Sequence, residues 1–404
     1  MRDQKLDARR ESGRLWSQIL PLVAAATMLL LGFWLRWANV QYDGLPNQDT
    51  YNQYAFDRFA YSDIASLFYR DNLHANPWPY FDYRFEYPVG MGLLVYLINT
   101  ASTSRLMPDY FLLTSVVMAI AGLTIVGLMP RFRHGRAWLV ALSPALALYV
   151  NLNWDMWGVL LTIIALLLFA KDRDTTGGIM LAAAVWTKFF PIVLLPLLLV
   201  DRVRHGRWRA AGMLTAAFTL ASLAINAPLF ILQRDAWLYF FQVNQTRGRE
   251  VNLWNFFDRW GLTTQQINTG SAILLSLGLL VVIAAQWRGR SEAWMPACCA
   301  MLAWFFFINK VYSPQYSLWI VVLLAASGGA PALVVAWSAA DLIYFWSSFV
   351  TLGQLQFGDA AQWFYQYTLM PAMALREGML LLIVGWCLAR IWKGDQQAGT
   401  EMRR

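Results

Sequence analysis

The chain has 404 residues, 58% of them hydrophobic, with only 14% charged and a mean hydropathy of +0.42. That charge share is about half of what soluble domains carry, which excludes an ordinary soluble enzyme. The formal net charge of +8 does not indicate nucleic acid, because the basic residues fall in short clusters between apolar runs, where they set orientation in a membrane.

Gln18–Leu35 and Ala210–Leu232 are apolar and free of charge, and about 20 such residues cross a bilayer as a helix. A transmembrane barrel would show short alternating segments instead. The sequence therefore predicts an all-α polytopic membrane protein of about ten to twelve transmembrane helices, some broken. The basic N-terminus is followed by an apolar run too long for a signal peptide and without a small-residue cleavage site, so it reads as a retained first helix. Residues 1–16 form a cytoplasmic tail, 17–392 one membrane domain and 393–404 a second cytoplasmic tail. No internal repeat or soluble domain interrupts this. Cys298, Cys299 and Cys387 lack metal spacing and read as small apolar packers.

The clusters Arg2–Arg14, Arg131–Arg136, Lys171–Arg173, Arg202–Arg209, Arg288–Arg290 and the tail from Lys393 go to the cytoplasmic side. The opposite side receives 39–87, 151–155, 233–268, 309–315 and 351–377, which are rich in Trp and Tyr. Two apolar runs, 88–100 and 109–129, lie between Glu86 and Arg131. The first is too short to span, so it is a half-helix or surface helix. Lys188-Phe189-Phe190-Pro191 interrupts the run 177–200. Two half-helices meeting near Lys188 keep both flanking basic clusters inside, an arrangement tolerated where it lines a cavity.

The polar groups gather on the outer side. The first loop carries Asp43, Asp49, Asp57, Asp63, Asp71, Asp82 and Glu86. Asp63, flanked by apolar residues, is the candidate base, since desolvation raises a carboxyl pKa toward a useful value. Equally, Ser62 or Asp63 caps a helix. Glu86 either caps the helix re-entering at Pro88, with the proline in its first turn, or binds a substrate hydroxyl. Asn151, Asn153 and Asp155 either cap a helix or, with Trp154 and Trp157, meet a sugar ring. Lys188 is an ionisable group within a membrane segment, a functional position by default, and suits a phosphate as a point charge. Lys310 either snorkels to the interface or joins Lys188, Arg247 and Arg249 as a cation on the outer face. A base, phosphate-binding cations and access from lipid together suit transfer from a lipid-linked phosphosugar, because no nucleotide supply exists outside the cell. A transporter or flippase of a lipid-linked sugar is the main rival, and a non-catalytic scaffold a weaker one. Transporters commonly carry inverted repeats and midplane charges, and no repeat is visible here.

Six segments in order, Tyr61-Ser62-Asp63-Ile64, Glu86-Tyr87-Pro88-Val89, Asn153-Trp154-Asp155, Trp186-Thr187-Lys188-Phe189-Phe190-Pro191, Asn244-Gln245-Thr246-Arg247-Gly248 and Asn309-Lys310-Val311-Tyr312-Ser313-Pro314-Gln315-Tyr316, give the chain a resemblance to the actinobacterial GT-C fold glycosyltransferases of family 87. The resemblance implies a GT-C-like bundle with a long first extracytoplasmic loop, a polyprenyl-phosphate sugar donor, most often mannose, and a lipid or glycan acceptor of the cell envelope. It also implies a site on the outer face of the plasma membrane and a catalytic acid in the first loop, best matched by Asp63. Inversion follows: the acid deprotonates the acceptor, and Lys188, Lys310 and Arg247 stabilise the departing phosphate. Glu86, Asn153, Asp155, Asn244, Gln245, Tyr312 and Gln315 complete the candidate substrate-binding set. Other GT-C families show paired acids in the first loop, and this chain has no adjacent pair there. No metal or other cofactor, and no nucleic-acid partner, is expected.

Overall fold

In lipid a lone segment can satisfy its backbone only as a helix, and the described residues are helices and short connections throughout. The computed structural model describes residues 2–41, 48–290, 292–354 and 360–393; Asp43 and the tail 394–404 lie outside them. In chain order the helices are α1 (Arg2–Val40), α2 (Gln48–Phe56), α3 (Asp63–Arg70), α4 (Val89–Ala101), α5 (Met107–Leu128), α6 (Ala137–Ala141), α7 (Pro144–Tyr149), α8 (Asp155–Ala170) and α9 (Asp174–Val185). Then come α10 (Leu195–Arg204), α11 (Trp208–Leu232), α12 (Arg234–Thr246), α13 (Thr264–Arg288), α14 (Trp294–Ile308), α15 (Tyr316–Ala326), α16 (Pro331–Gln354), α17 (Ala360–Phe364) and α18 (Met370–Lys393). Among the described residues the only β pairings are two isolated bridges, Pro79 with Tyr83 and Glu250 with Val311.

Among the described residues, six helices are long and apolar enough to cross a membrane: 16–40, 107–131, 208–232, 264–288, 331–354 and 362–392. Four more, α4, α8, α14 and α15, are apolar but shorter. The two groups occupy different places. Most of α14 and nearly all of α15 is buried, whereas α1, α11 and α13 expose apolar side chains such as Leu31, Leu220 and Leu280. A helix apolar all round belongs in an interior. Of the short helices, α8, α14 and α15 are the centre, while α4 exposes Leu93 and Leu97; the long helices present further apolar surface that lipid would cover. At 1.5 Å per residue, α14 is about 22 Å long, shorter than the roughly 30 Å hydrocarbon core, so its ends stop below the surface and leave room for cavities.

The two irregularities expected from the sequence take the expected forms. Residues 89–101 make a 13-residue helix whose two ends lie on one side: Gly90 N–H donates to Trp186 O (2.6 Å), and Asn99 Nδ2 donates to Leu73 O (2.7 Å) in the first loop. Pro88, however, sits in the N-cap position, ahead of the first turn. Around Lys188, α9 stops at Val185, a 3-10 turn covers Phe190–Leu194, and α10 returns. The feet of this hairpin are tied by Arg202, which meets Asp174 at 2.7 Å and Asp172 at 3.2 Å.

The described basic turns converge at one end of the bundle: Arg204 donates to the carbonyl of Gly289 (3.4 Å), and Arg131, Lys171, Arg290 and Arg390 surround a single cavity there. Cys298, Cys299 and Cys387 are free and buried in helices, as packers would be.

Gly32 marks a close helix crossing. A Cβ there would collide with the carbonyl of Ala147 on α7. Gly32→Val is expected to destabilise the protein by about 1–3 kcal/mol through overpacking, measured as a lower unfolding midpoint in detergent.

Candidate active site

A cavity of about 770 Å³ opens at the other end of the bundle. Its wall draws on α3, the Glu86–Pro88 segment, the Lys188 turn, α12, the 309–316 segment and α16.

Asp63 is the first residue of α3. The strand-like segment before it is strapped to the turn between α7 and α8: Ser62 Oγ donates to Asn151 O (2.6 Å) and Asp63 N–H donates to Leu152 O (2.8 Å). Ser62 occupies the N-cap position, but its hydroxyl makes this long-range bond and does not cap α3. The Asp63 carboxylate accepts from Tyr61 OH on Oδ1 (2.8 Å) and from Asn153 Nδ2 on Oδ2 (2.7 Å). Burial pushes its pKa above the usual aspartate value, against the opposing pull of those two hydrogen bonds and of Lys188. Each oxygen keeps acceptor capacity for a proton from the cavity.

Asn153 is the link to the cation. Its Nδ2 also donates to Tyr87 OH (2.9 Å), and its Oδ1 accepts from Lys188 Nζ (3.4 Å). Lys188 pairs with Asp155 at 3.0 Å and lies over the Tyr87 ring at 4.6 Å. Asp155 is fully buried and accepts from Trp319 Nε1 (3.0 Å) on α15. A buried charge persists only when paired, and this pairing explains how Lys188, a residue 7% exposed, is held at the cavity wall.

The other cavity-facing charges are paired as well. Arg247 meets Glu250 with both its Nε (2.7 Å) and Nη2 (2.9 Å). Arg70 bridges Asp71 (2.6 Å) and Glu86 (2.9 Å); Glu86 therefore takes part in an ion pair and caps no helix.

Of the residues expected from the sequence, the cavity wall brings together Asp63, Glu86, Lys188, Asn244, Arg247 and Gln315. Asn153 and Asp155 stand behind that wall, contacting Asp63 and Lys188. Gln245, Lys310 and Tyr312 are also off it. Lys310 Nζ donates to Gln245 O (3.3 Å), at the C-terminal end of α12, and burial together with nearby Arg247 holds its pKa below the usual lysine value. Its ammonium thus satisfies a helix-end carbonyl. Tyr312 is buried, with the Arg376 guanidinium 3.7 Å from its ring. Arg249 reaches away to Asp258 (2.7 Å).

Sequence reasoning passed over Arg70 and Glu250. Both sit beside residues it had named, Asp71 and Arg249, and the signal available was a lone arginine in an acidic loop and a glutamate three residues after Arg247, a spacing that allows pairing.

Comparison with protein families matches residues 85–314 to glycosyltransferase family 87. The chain belongs to that family. The matched span of this glycosyltransferase holds Glu86, Asn153, Lys188 and Arg247, while Asp63 precedes it. No curated protein matches the chain. Among solved structures, ArnT from Cupriavidus metallidurans bound to undecaprenyl phosphate is similar at 13% identity, covering 95% of this chain and 79% of that one, with a TM-score of 0.48. The apo state of the same protein gives 16% identity, 97% and 80% coverage, and a TM-score of 0.47.

Proposed function

We propose that this membrane glycosyltransferase moves a sugar, mannose first among the candidates, from a polyprenyl-phosphate donor to a cell-envelope lipid or glycan, with inversion. The observation that carries the reading is the continuous chain from Asp63 through Asn153 to Lys188, with steps of 2.7 and 3.4 Å, beside one cavity. Asp63 takes the proton of the acceptor hydroxyl. The acceptor oxygen bonds to the anomeric carbon as the bond from that carbon to the phosphate oxygen breaks, and its electron pair leaves with the lipid phosphate. Lys188 and Arg247, with Arg70 on the same wall, answer the charge that develops there. An apolar stretch of Phe189, Phe190, Phe240, Phe241 and Phe305 suits the prenyl chain. The plasma membrane is the proposed location and the site faces away from the cytoplasm, because the basic turns gather at the opposite end.

The test is incubation of the purified protein with polyprenyl-phosphate sugars and envelope lipid acceptors. Transfer from polyprenyl-phosphate mannose is expected; transfer from a sugar nucleotide alone, or movement of the intact lipid-linked sugar across a vesicle without transfer, overturns the reading. Two finer outcomes belong to it. The Asp63 base must be ionised to work, so activity falls as pH drops through its raised pKa, and the acid limb of the pH–rate profile has a midpoint above about 4, the ordinary aspartate value. A midpoint at or below that value assigns the base elsewhere. Arg247→Ala removes a charged hydrogen-bond donor and is expected to weaken donor use by about 10–100-fold, read as a rise in KM for the donor.

A further inference from the structure

We infer that a second, basic cavity at the end of the bundle opposite Asp63 binds the phosphate headgroup of an anionic phospholipid. This cavity, of about 390 Å³, is lined by Arg131, Arg133, Lys171, Arg290 and Arg390 together with His134. Glu292 is the single carboxylate among its described lining residues. It is already engaged by Arg133 and by His134, the latter at 3.4 Å.

The basic residues come from four separate places: the turn after α5, the end of α8, the α13–α14 connection and the last turns of α18. Orientation in a membrane asks only that such residues lie on one side; it does not ask that they converge on a concavity. Convergence brings like charges together at a cost that a bound anion removes. The depth fits a lipid headgroup and not a soluble anion. Trp138, Trp287 and Trp392, exposed by 43, 53 and 52%, lie beside these basic turns, as aromatic residues do at headgroup level. Phe132, Trp294, Met295 and Ile391 give the cavity an apolar side for the glycerol and upper acyl carbons.

The cavity is separate from the candidate active site. The two lie at opposite ends of α8, α14 and α15, about 22 Å apart along α14.

The test is lipid retention by the full chain purified from mixed vesicles of phosphatidylcholine and phosphatidylglycerol, read by mass spectrometry of the intact protein. Phosphatidylglycerol is expected to be retained in preference. Each basic residue near an anionic headgroup contributes about fivefold, so the double substitution Arg131→Gln with Lys171→Gln should cut the preference by about tenfold or more. The charge-conserving pair Arg131→Lys with Lys171→Arg should keep it, as should Arg288→Gln, at the same end but outside the cavity. Equal retention of both lipids by the unaltered chain overturns the inference, whatever the variants do. So does full preference in the neutral double variant, or displacement of the lipid by inorganic phosphate alone.

Discussion

Asp63→Asn is expected to lower turnover by about 10²–10⁴-fold, the usual contribution of a positioned general base, while donor binding is kept. Asparagine preserves the volume, and its carbonyl oxygen still accepts from Asn153 or Tyr61 in place of the carboxylate. It cannot take a proton from the acceptor. Because the backbone of Asp63 is bonded to Leu152, the substitution leaves α3 where it is, so the loss reads on chemistry and not on folding. Turnover with saturating donor and acceptor, alongside donor binding measured separately, checks this. Full turnover in the variant assigns the base to another acid on the wall, with Glu86 and Glu250 next in line.

Lys188→Met is expected to cost more than activity. It strips the partner from Asp155, which is fully buried and then has only the Trp319 indole N–H as a donor. Breaking a buried ion pair from one side costs about 3–5 kcal/mol, whereas replacing both partners with apolar groups is often neutral or better. Lys188→Met should therefore unfold at a markedly lower temperature, and adding Asp155→Leu should restore most of the stability. Transfer activity stays lost in both, because the cation at the cavity wall is gone in both. Rescue of activity by the second substitution would mean that Lys188 serves structure alone.

The bundle was legible because it rests on composition and periodicity: uncharged runs of bilayer length, a run too short to cross at 88–100, and a lysine–proline interruption at 188–191. What the sequence hid was depth. The run 155–170 reads like any other span, yet α8 is a central helix ringed by others, and that placement depends on which partners pack around it. The site was half legible for a related reason. The charged and polar residues of the candidate site could be gathered from the sequence, but not which of them face the cavity and which hold the facing ones. Asp155 looks like a ligand in the string Asn153-Trp154-Asp155; in three dimensions it holds Lys188. Lys310 looks like a second phosphate cation and instead closes the end of α12. Both outcomes rest on contacts between residues distant in the chain, Asp155 with Lys188 and Lys310 with the Gln245 carbonyl, and such contacts leave no local trace.

The bond from Trp319 to Asp155 has a bearing on how the protein is made. Asp63 emerges among the first seventy residues, but its support arrives in instalments: Asn153 and Asp155 next, Lys188 later, and the indole that steadies Asp155 only when α15 has been inserted. A chain still being synthesised, or one cut short before α15, carries the acid without its full set of braces. The proposed reaction centre is thus among the last features of the fold to be completed.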